Sequence, residues 1–314
     1  MESEPQAREP MDPVRKVTVL FVAAIMVAVG FVVFVAYNGM KTNTANTSEP
    51  IVSGNRITLN YIGTLPDGRV FDTSILTVAS NDALYPKSLT FTQKTDDTYV
   101  PFEMVAGNYG SGGTIKGFAL GVIGMRVNER KIIEVKPGDG YAVNQSMIET
   151  ISINETVPAT ETVTDTMFMS WFGTDPVLMD ILPHYKWKWD VQVIKYVAGF
   201  VSYRSYPTVG ETVYPFGDPN DADSPMGWGC VVESFDPQAY GGIGMISVRH
   251  MVSAQDVYYI KGTDVDGTTF ILSGYNATAG TFQIHKSNSD TGYNGELAGR
   301  TLFFEVTILA VKSS

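Results

Sequence analysis

The chain has 314 residues, 44% of them apolar and 18% charged, an ordinary globular composition with room for about two domains. Its formal charge of −11, from 22 Lys and Arg against 33 Asp and Glu, argues against nucleic acid as a partner, because phosphate neutralisation needs clustered cations and none occurs. The single cysteine, Cys230, excludes an intrachain disulfide and reads as a small buried apolar residue rather than a nucleophile.

Val17 to Tyr37 is 21 residues without a charge, enough at about 1.5 Å per residue to cross a bilayer core of about 30 Å. Residues 17–37 are therefore expected to form a transmembrane helix. A cleaved signal peptide competes with this reading, but its apolar region is only about 7–15 residues long and Tyr37-Asn38-Gly39-Met40 is a poor cleavage site. Arg8, Arg15 and Lys16 precede the span and only Lys41 closely follows it, which places residues 1–16 as a cytoplasmic tail of a single-pass cell-membrane protein. The main domains are then extracytoplasmic. Sequons at Asn46, Asn144, Asn154 and Asn276 suit that location weakly, since a chain rich in Ser and Thr carries some by chance.

Residues 38–53, rich in Asn, Thr and Ser, read as a flexible linker. Ile57 to Tyr61 then alternates with period two, and Pro66-Asp67-Gly68 supplies turn chemistry before Val70-Phe71, which predicts a hairpin. Gly107 to Gly113 is too glycine-rich for regular structure, Ile115 to Val122 is the best candidate for a short helix, and Lys131 to Val135 is the next strand. Strands framing a short helix imply an α+β arrangement, the helix packed on an antiparallel sheet.

Residues 142–165 read as a loop or loosely held strands, and Asp165 to Phe172 as a helical turn or two with Asp165 as N-cap. Trp187–Val193, Gly229–Glu233, Ile246–Arg249 and Val257–Ile260 are strand-like, so this part is mostly β. The stretches beginning at Trp187 and Trp228 look faintly alike, a hint of two related subdomains. Leu297 to Lys312 is a closing strand.

Taken together, Tyr61-Ile62-Gly63-Thr64-Leu65, Asp67-Gly68, Phe71-Asp72-Thr73-Ser74, Ile115-Lys116-Gly117-Phe118, Gly124-Met125 and Pro137 to Tyr141 resemble the FKBP-type peptidyl-prolyl cis-trans isomerases in order, spacing and residue type. The resemblance covers about a third of the chain. It implies a discontinuous isomerase domain, residues 54–141 plus 294–314, in which an antiparallel sheet wraps around a short helix. Residues 142–293 are then a β-rich domain inserted in the flap, as in a chaperone-bearing subgroup that returns through a segment like Asn294-Gly295-Glu296-Leu297-Ala298-Gly299. The resemblance also implies a pocket with aromatic walls from Tyr61, Phe71, Phe102, Phe118, Tyr141 and Phe304. Phe118 would be the floor under the proline ring, Ile115 N–H and the Tyr141 hydroxyl would bind peptide carbonyls, Asp72 would orient the Tyr61 side, and Thr114 would line the edge. Taken singly, these aromatics read more readily as core than as ligand-binding residues.

Such a pocket needs neither metal nor cofactor. Rotation about an Xaa-Pro bond meets a barrier of about 18–20 kcal/mol because the planar amide is resonance-stabilised, and an apolar site that binds the twisted amide better than the planar one lowers it. The expected partners are unfolded or proline-containing polypeptides and, through the N-terminal helix, a membrane. Two departures bear on activity: the 27 residues between Ser74 and Phe102 are longer than the usual loop, long enough to extend over the pocket and modulate or block activity, and Asn128 and Ala142 stand where the family has glycine. The alternative function is a non-catalytic holdase or peptide-binding surface protein that retains this frame. His184, His250 and His285 are isolated, and the Asp218–Asp223 and Asp264–Gly267 stretches lack the remaining ligands of a calcium loop.

Overall fold

A computed structural model of the protein describes residues 49–287 and 295–312. The expected span 17–37, most of the linker and Asn294 lie outside the described residues, among which no helix is long and apolar enough to cross a membrane.

The frame is built on β1 (Arg56–Thr64), which pairs antiparallel with β17 (Leu302–Lys312) from Arg56↔Lys312 to Thr64↔Phe303. β2 (Val70–Thr73) and β3 (Phe102–Val105) share the other edge of β1, and β4 (Arg130–Val135) pairs with β17. β17 reads Leu302, Phe304, Val306 and Ile308 inward with intermediate residues between them, the period-two pattern of a sheet with one buried face. After the short helix α1 (Leu76–Ala79), α2 (Lys116–Gly121) lies on that face and buries Phe118 and Ala119. Its close approach depends on Gly117 and Gly121, one turn apart: a Cβ would lie 2.6 Å from Val135 and 2.3 Å from Ile133 of β4. Asn128 adopts φ 65°, a left-handed geometry that Asn tolerates. The frame begins earlier than the linker composition suggests, because Ile51 is buried and exchanges backbone hydrogen bonds with Met125 and Gly124.

Among the described residues, the insert forms three four-stranded sheets with one connectivity. Residues 142–165 are not loosely held: β5 (Ile148–Ser152), β6 (Asn154–Pro158) and β7 (Thr160–Thr164) follow one another at a six-residue spacing. Each completes a different sheet. The meander β8 (Ile181–Pro183), β9 (Asp190–Val197), β10 (Phe200–Ser205) takes β7. The meander β11 (Thr212–Val213), β12 (Cys230–Asp236), β13 (Met245–His250) takes β6. The meander β14 (Lys261–Thr263), β15 (Thr269–Asn276), β16 (Thr281–Lys286) takes β5.

The middle strand of each meander carries an extra residue at the same place, Ile194, Glu233 or Ser273, directly after the buried Val193, Val232 or Leu272. Equivalent bulges in equivalent registers mark a threefold internal repeat. The units number three rather than two, and the pairings Val191↔Ser205 and Cys230↔His250 align Trp189, not Trp187, with Trp228. All three sheets contribute to one core.

Three local expectations are corrected. The helix α3 (Asp165–Phe172) is capped by Thr164, whose hydroxyl accepts from Met167 N–H, while Asp165 is already helical. Trp187 to Trp189 is a turn before β9: His184 Nδ1 accepts the N–H groups of Lys186 and Trp187, and Lys188 takes φ 69°. Val257 to Ile260 is also not a strand, since Tyr258 takes φ 65°. That turn carries Tyr258 and Tyr259 onto the frame.

Here Arg69 of the β1–β2 turn donates to Tyr258 O at 2.8 Å and lies over the Tyr259 ring, while Arg300 lies over Tyr258 and pairs with Asp67. Burial alone would raise the Asp67 carboxyl, but Arg69 and Arg300 outweigh it and hold the group below its ordinary value. Beneath them the fully buried Glu296 pairs with Arg69 at 3.3 Å and accepts from Leu89 N–H, Thr90 N–H and the Thr90 hydroxyl. The chain leaves the frame at Tyr141, and the returning segment, whose Leu297 is part of the frame core, stays beside it, with Gly299 N–H donating to Tyr141 O at 2.9 Å. Removing one member of a buried, hydrogen-bonded ion pair strands the other, so Glu296→Ala is expected to destabilise the protein by about 3–5 kcal/mol, measured by urea unfolding.

Candidate active site

The pocket is assembled by the two features that define the frame, the β1–β17 pairing and the seating of α2 on the sheet. Gly63 faces Phe304 across the pairing, and a Cβ at Gly63 would lie 2.6 Å from the Phe71 ring. The glycine of the Tyr-Ile-Gly sequence is thus the space into which Phe71 folds. Tyr61 comes from the middle of β1, Phe71 and Asp72 from β2, Phe102 from the start of β3, Phe118 from α2 and Phe304 from β17.

Their rings converge. Phe118 and Phe304 are 4.7 Å apart between centroids, Phe71 meets Phe304 edge-on at 5.4 Å, and Tyr61 meets Phe102 at 5.8 Å and Phe118 at 5.9 Å. Edge-to-face contacts at such distances are favourable for aromatic quadrupoles. Phe118 and Phe304 are buried, whereas Tyr61, Phe71, Phe102 and Tyr141 are partly buried against the same core. The structure therefore brings the aromatic residues into one half-open cluster.

The polar members are equally ordered. Tyr61 Oη donates to Asp72 Oδ2 at 2.6 Å, Thr73 N–H donates to Asp72 Oδ1, and Tyr61 N–H donates to Ser74 Oγ. Burial first, then the Asp72 carboxylate, push the Tyr61 phenol well above its ordinary value, and the same two causes raise Tyr141. Both remain neutral donors at any physiological pH. Ile115 is the extended residue before α2, and Thr114 lies at the rim of a neighbouring cavity of about 450 Å³ that also touches Phe102. Among the described residues, neither Ile115 N–H nor the Tyr141 hydroxyl is used by another group of the chain. Two donors at the edge of an aromatic recess suit the carbonyls of a bound peptide.

Residues 47–158 match the model of the family described as FKBP-type peptidyl-prolyl cis-trans isomerase. The chain carries an FKBP-type domain. It is 33% identical over 98 residues to a short-type peptidyl-prolyl cis-trans isomerase of Methanocaldococcus jannaschii, an overlap of 31% of this chain and 55% of that relative. The chain thus spans about half the length of the curated relative it matches. The family match ends at Pro158, the last residue of β6, so the strand that supplies Phe304 to the FKBP-type domain enters through the tertiary structure.

Sequence reasoning passed over Lys94 and Tyr99, and quoted Ser74 in a motif without giving it a role. Lys94 Nζ pairs with Asp72 Oδ1 at 2.9 Å, and its N–H donates to Tyr99 Oη. The length of the 75–101 loop was a signal for the region, but a lysine among Thr, Gln and Asp looks like a solvated loop residue. Elsewhere, the three histidines are buried: His250 receives the Trp228 indole N–H and faces Glu155, and burial lowers His184 against the opposing pull of Glu161. Asp218, Asp221 and Asp266 accept N–H groups of their own turns. No group of three or more metal-ligating side chains occurs among the described residues. Cys230 is fully buried, and burial pushes its thiol up to about 12.

Within the pocket, rings and hydroxyl contribute unequally. Tyr61→Phe keeps the ring contacts and removes one hydrogen bond to a half-exposed carboxylate, which costs about 1 kcal/mol, whereas Phe304→Ala opens a cavity worth about 3–5 kcal/mol. Urea unfolding of the two variants side by side measures that difference.

Proposed function

We propose that the protein is a membrane-anchored peptidyl-prolyl cis-trans isomerase and folding chaperone for exported or membrane-surface polypeptides. The observation that carries the catalytic part is the convergence of Tyr61, Phe71, Phe102, Phe118 and Phe304 beside the Ile115 N–H and the Tyr141 hydroxyl. Rotation about the amide bond needs no nucleophile. A proline ring seated on Phe118 leaves the preceding amide in an apolar surrounding, where the twisted transition state, having lost its resonance charge separation, is favoured over the planar ground state. The two donors hold the flanking carbonyls while the bond turns. The relative's activity and the family match support this reading.

The chaperone part rests on the first sheet of the insert. Leu178, Met179, Ile181, Val197 and Phe200 are each more than half exposed, and Met167 and Met169 of α3 are exposed while Phe168 of the same helix is core. The Met-rich α3 residues are thus divided between surface and core. Flexible and aromatic apolar side chains exposed on this sheet, on the segment leading into it and on α3 suit weak contact with apolar segments. The same surface supports the alternative reading, a holdase that keeps the frame without catalysis. The uncharged stretch 17–37 and the cations before it support the membrane anchor and the cytoplasmic N-terminus.

A protease-free prolyl-isomerisation assay on the full chain in detergent is expected to show catalysis that falls at least about tenfold in Phe118→Ala and in Tyr141→Phe, a loss of about 1.4 kcal/mol of transition-state stabilisation. Absence of any rate in the parent leaves the holdase reading. In cells expressing the full chain, the protein is expected to stay in the membrane pellet after alkaline carbonate washing, and its release into the supernatant would remove the anchor.

A further inference from the structure

The loop between Ser74 and Phe102 is not loose over the pocket. Its middle is fastened to the frame: Val70 N–H donates to Pro86 O, Ser88 N–H donates to Val70 O, and Leu89 and Thr90 are held by Glu296. From there the chain crosses back toward β3, and the Lys94 N–H bond to Tyr99 Oη closes it into a local turn. This construction puts one cation at the mouth of the aromatic recess. Lys94 Nζ contacts Asp72 Oδ1, Asp72 Oδ2 accepts from Tyr61, and Tyr61 is itself a wall of the recess.

Ammonium, carboxylate and phenol therefore stand in series from solvent to pocket. Lys94 pairs with Asp72 and with neither Asp96 nor Asp97 of its own loop, and its side chain is 47% exposed. An ammonium has three donors; one is spent on Asp72, and the others face the solvent through which a peptide approaches. Those remaining donors allow Lys94 to take a second carboxylate while it stays paired with Asp72. If the ammonium is removed, the half-exposed Asp72 is left as bare negative charge at the rim, which repels the same peptide.

Taking the recess as the peptide site proposed above, we propose that Lys94 is a specificity-determining residue that makes the pocket prefer an acidic side chain next to the substrate proline over a basic one. The test uses the full chain in detergent and two sets of fluorescent peptides, one varied as Glu, Gln or Lys before the proline and one varied after it. Isomerisation kcat/KM and binding by fluorescence anisotropy are measured on each, with the Gln peptide as the reference within each protein.

In the parent the Glu peptide is expected to exceed the Lys peptide in at least one set. Lys94→Met should lower that ratio about fivefold, the upper end of what a half-exposed ion pair provides, and Lys94→Arg should restore most of it. Raising the salt to about 1 M, where the screening length is about 3 Å, should collapse the ratio in the parent. A purely structural effect of Lys94 would change all three peptides together and leave the ratio alone, and an unchanged ratio overturns the proposal. If the parent binds with the expected ratio but does not catalyse, the isomerase reading falls and the role of Lys94 stands; if none of the peptides binds, both fall.

Discussion

The pairing of β1 with β17 is the constraint on which the rest of the structure depends. These strands are more than 230 residues apart in sequence, yet they lie side by side over the whole length of β1, and the buried face they create is the surface on which α2 packs. Closing so long a loop is costly in entropy, although the cost grows only slowly with length. It is offset by a row of inward Ile57, Leu59, Phe304, Val306 and Ile308 side chains. The pocket exists because this pairing brings Phe304 beside Phe71 and Phe118. Anything inserted between the two strands must leave and return at nearly one point, which the Gly299 to Tyr141 hydrogen bond marks.

The insert satisfies that condition by symmetry. Three successive strands at six-residue spacing, each containing Glu-Thr followed by Ile or Val, are laid one into each sheet, and three meanders then complete the sheets in reverse order. Glu149, Glu155 and Glu161 occupy equivalent positions and face Lys286, His250 and His184 respectively. The apolar residue two places after each glutamate pairs with Phe282, Ile246 or Val201, so every sheet delivers a strand-edge residue to the shared core. The first sheet differs from the other two in the apolar surface it leaves exposed.

Frame and insert meet through charge and aromatic stacking rather than through a continuous hydrophobic core, since each has its own. Two arginines lie over two tyrosines, with Glu296 buried beneath them. Glu296 also fastens the middle of the loop whose far half carries Lys94 to the pocket. The junction and the pocket rim are therefore linked through one short run of chain, residues 89–94.

Much of the frame was legible in the residues. Period-two alternation in β1 and β17, the Pro-Asp-Gly turn and the short apolar run of α2 are local signals, and the ordered motif from Tyr61 to Tyr141 pointed to Tyr61, Phe71, Asp72, Phe118 and Tyr141 as candidates that the fold places near one another. What stayed illegible depended on partners distant in sequence. Residues 142–165 look too polar for firmly held strands because each strand has one side in solvent and its core residue, Ile151, Val157 or Val163, pairs with a residue far along the chain, Phe282, Ile246 or Val201. Tyr258 reads as part of a strand until its positive φ shows a turn, and the junction with Arg69 and Arg300 is what occupies that turn. Lys94 is an ordinary loop lysine in sequence and a pocket-rim cation only once the loop is fastened at Ser88 and Thr90. Sequence alone determined which residue types can line an apolar recess and which stretches alternate. Tertiary structure decided which of those side chains meet, because contacts across long separations depend on closing the chain and burying surface together.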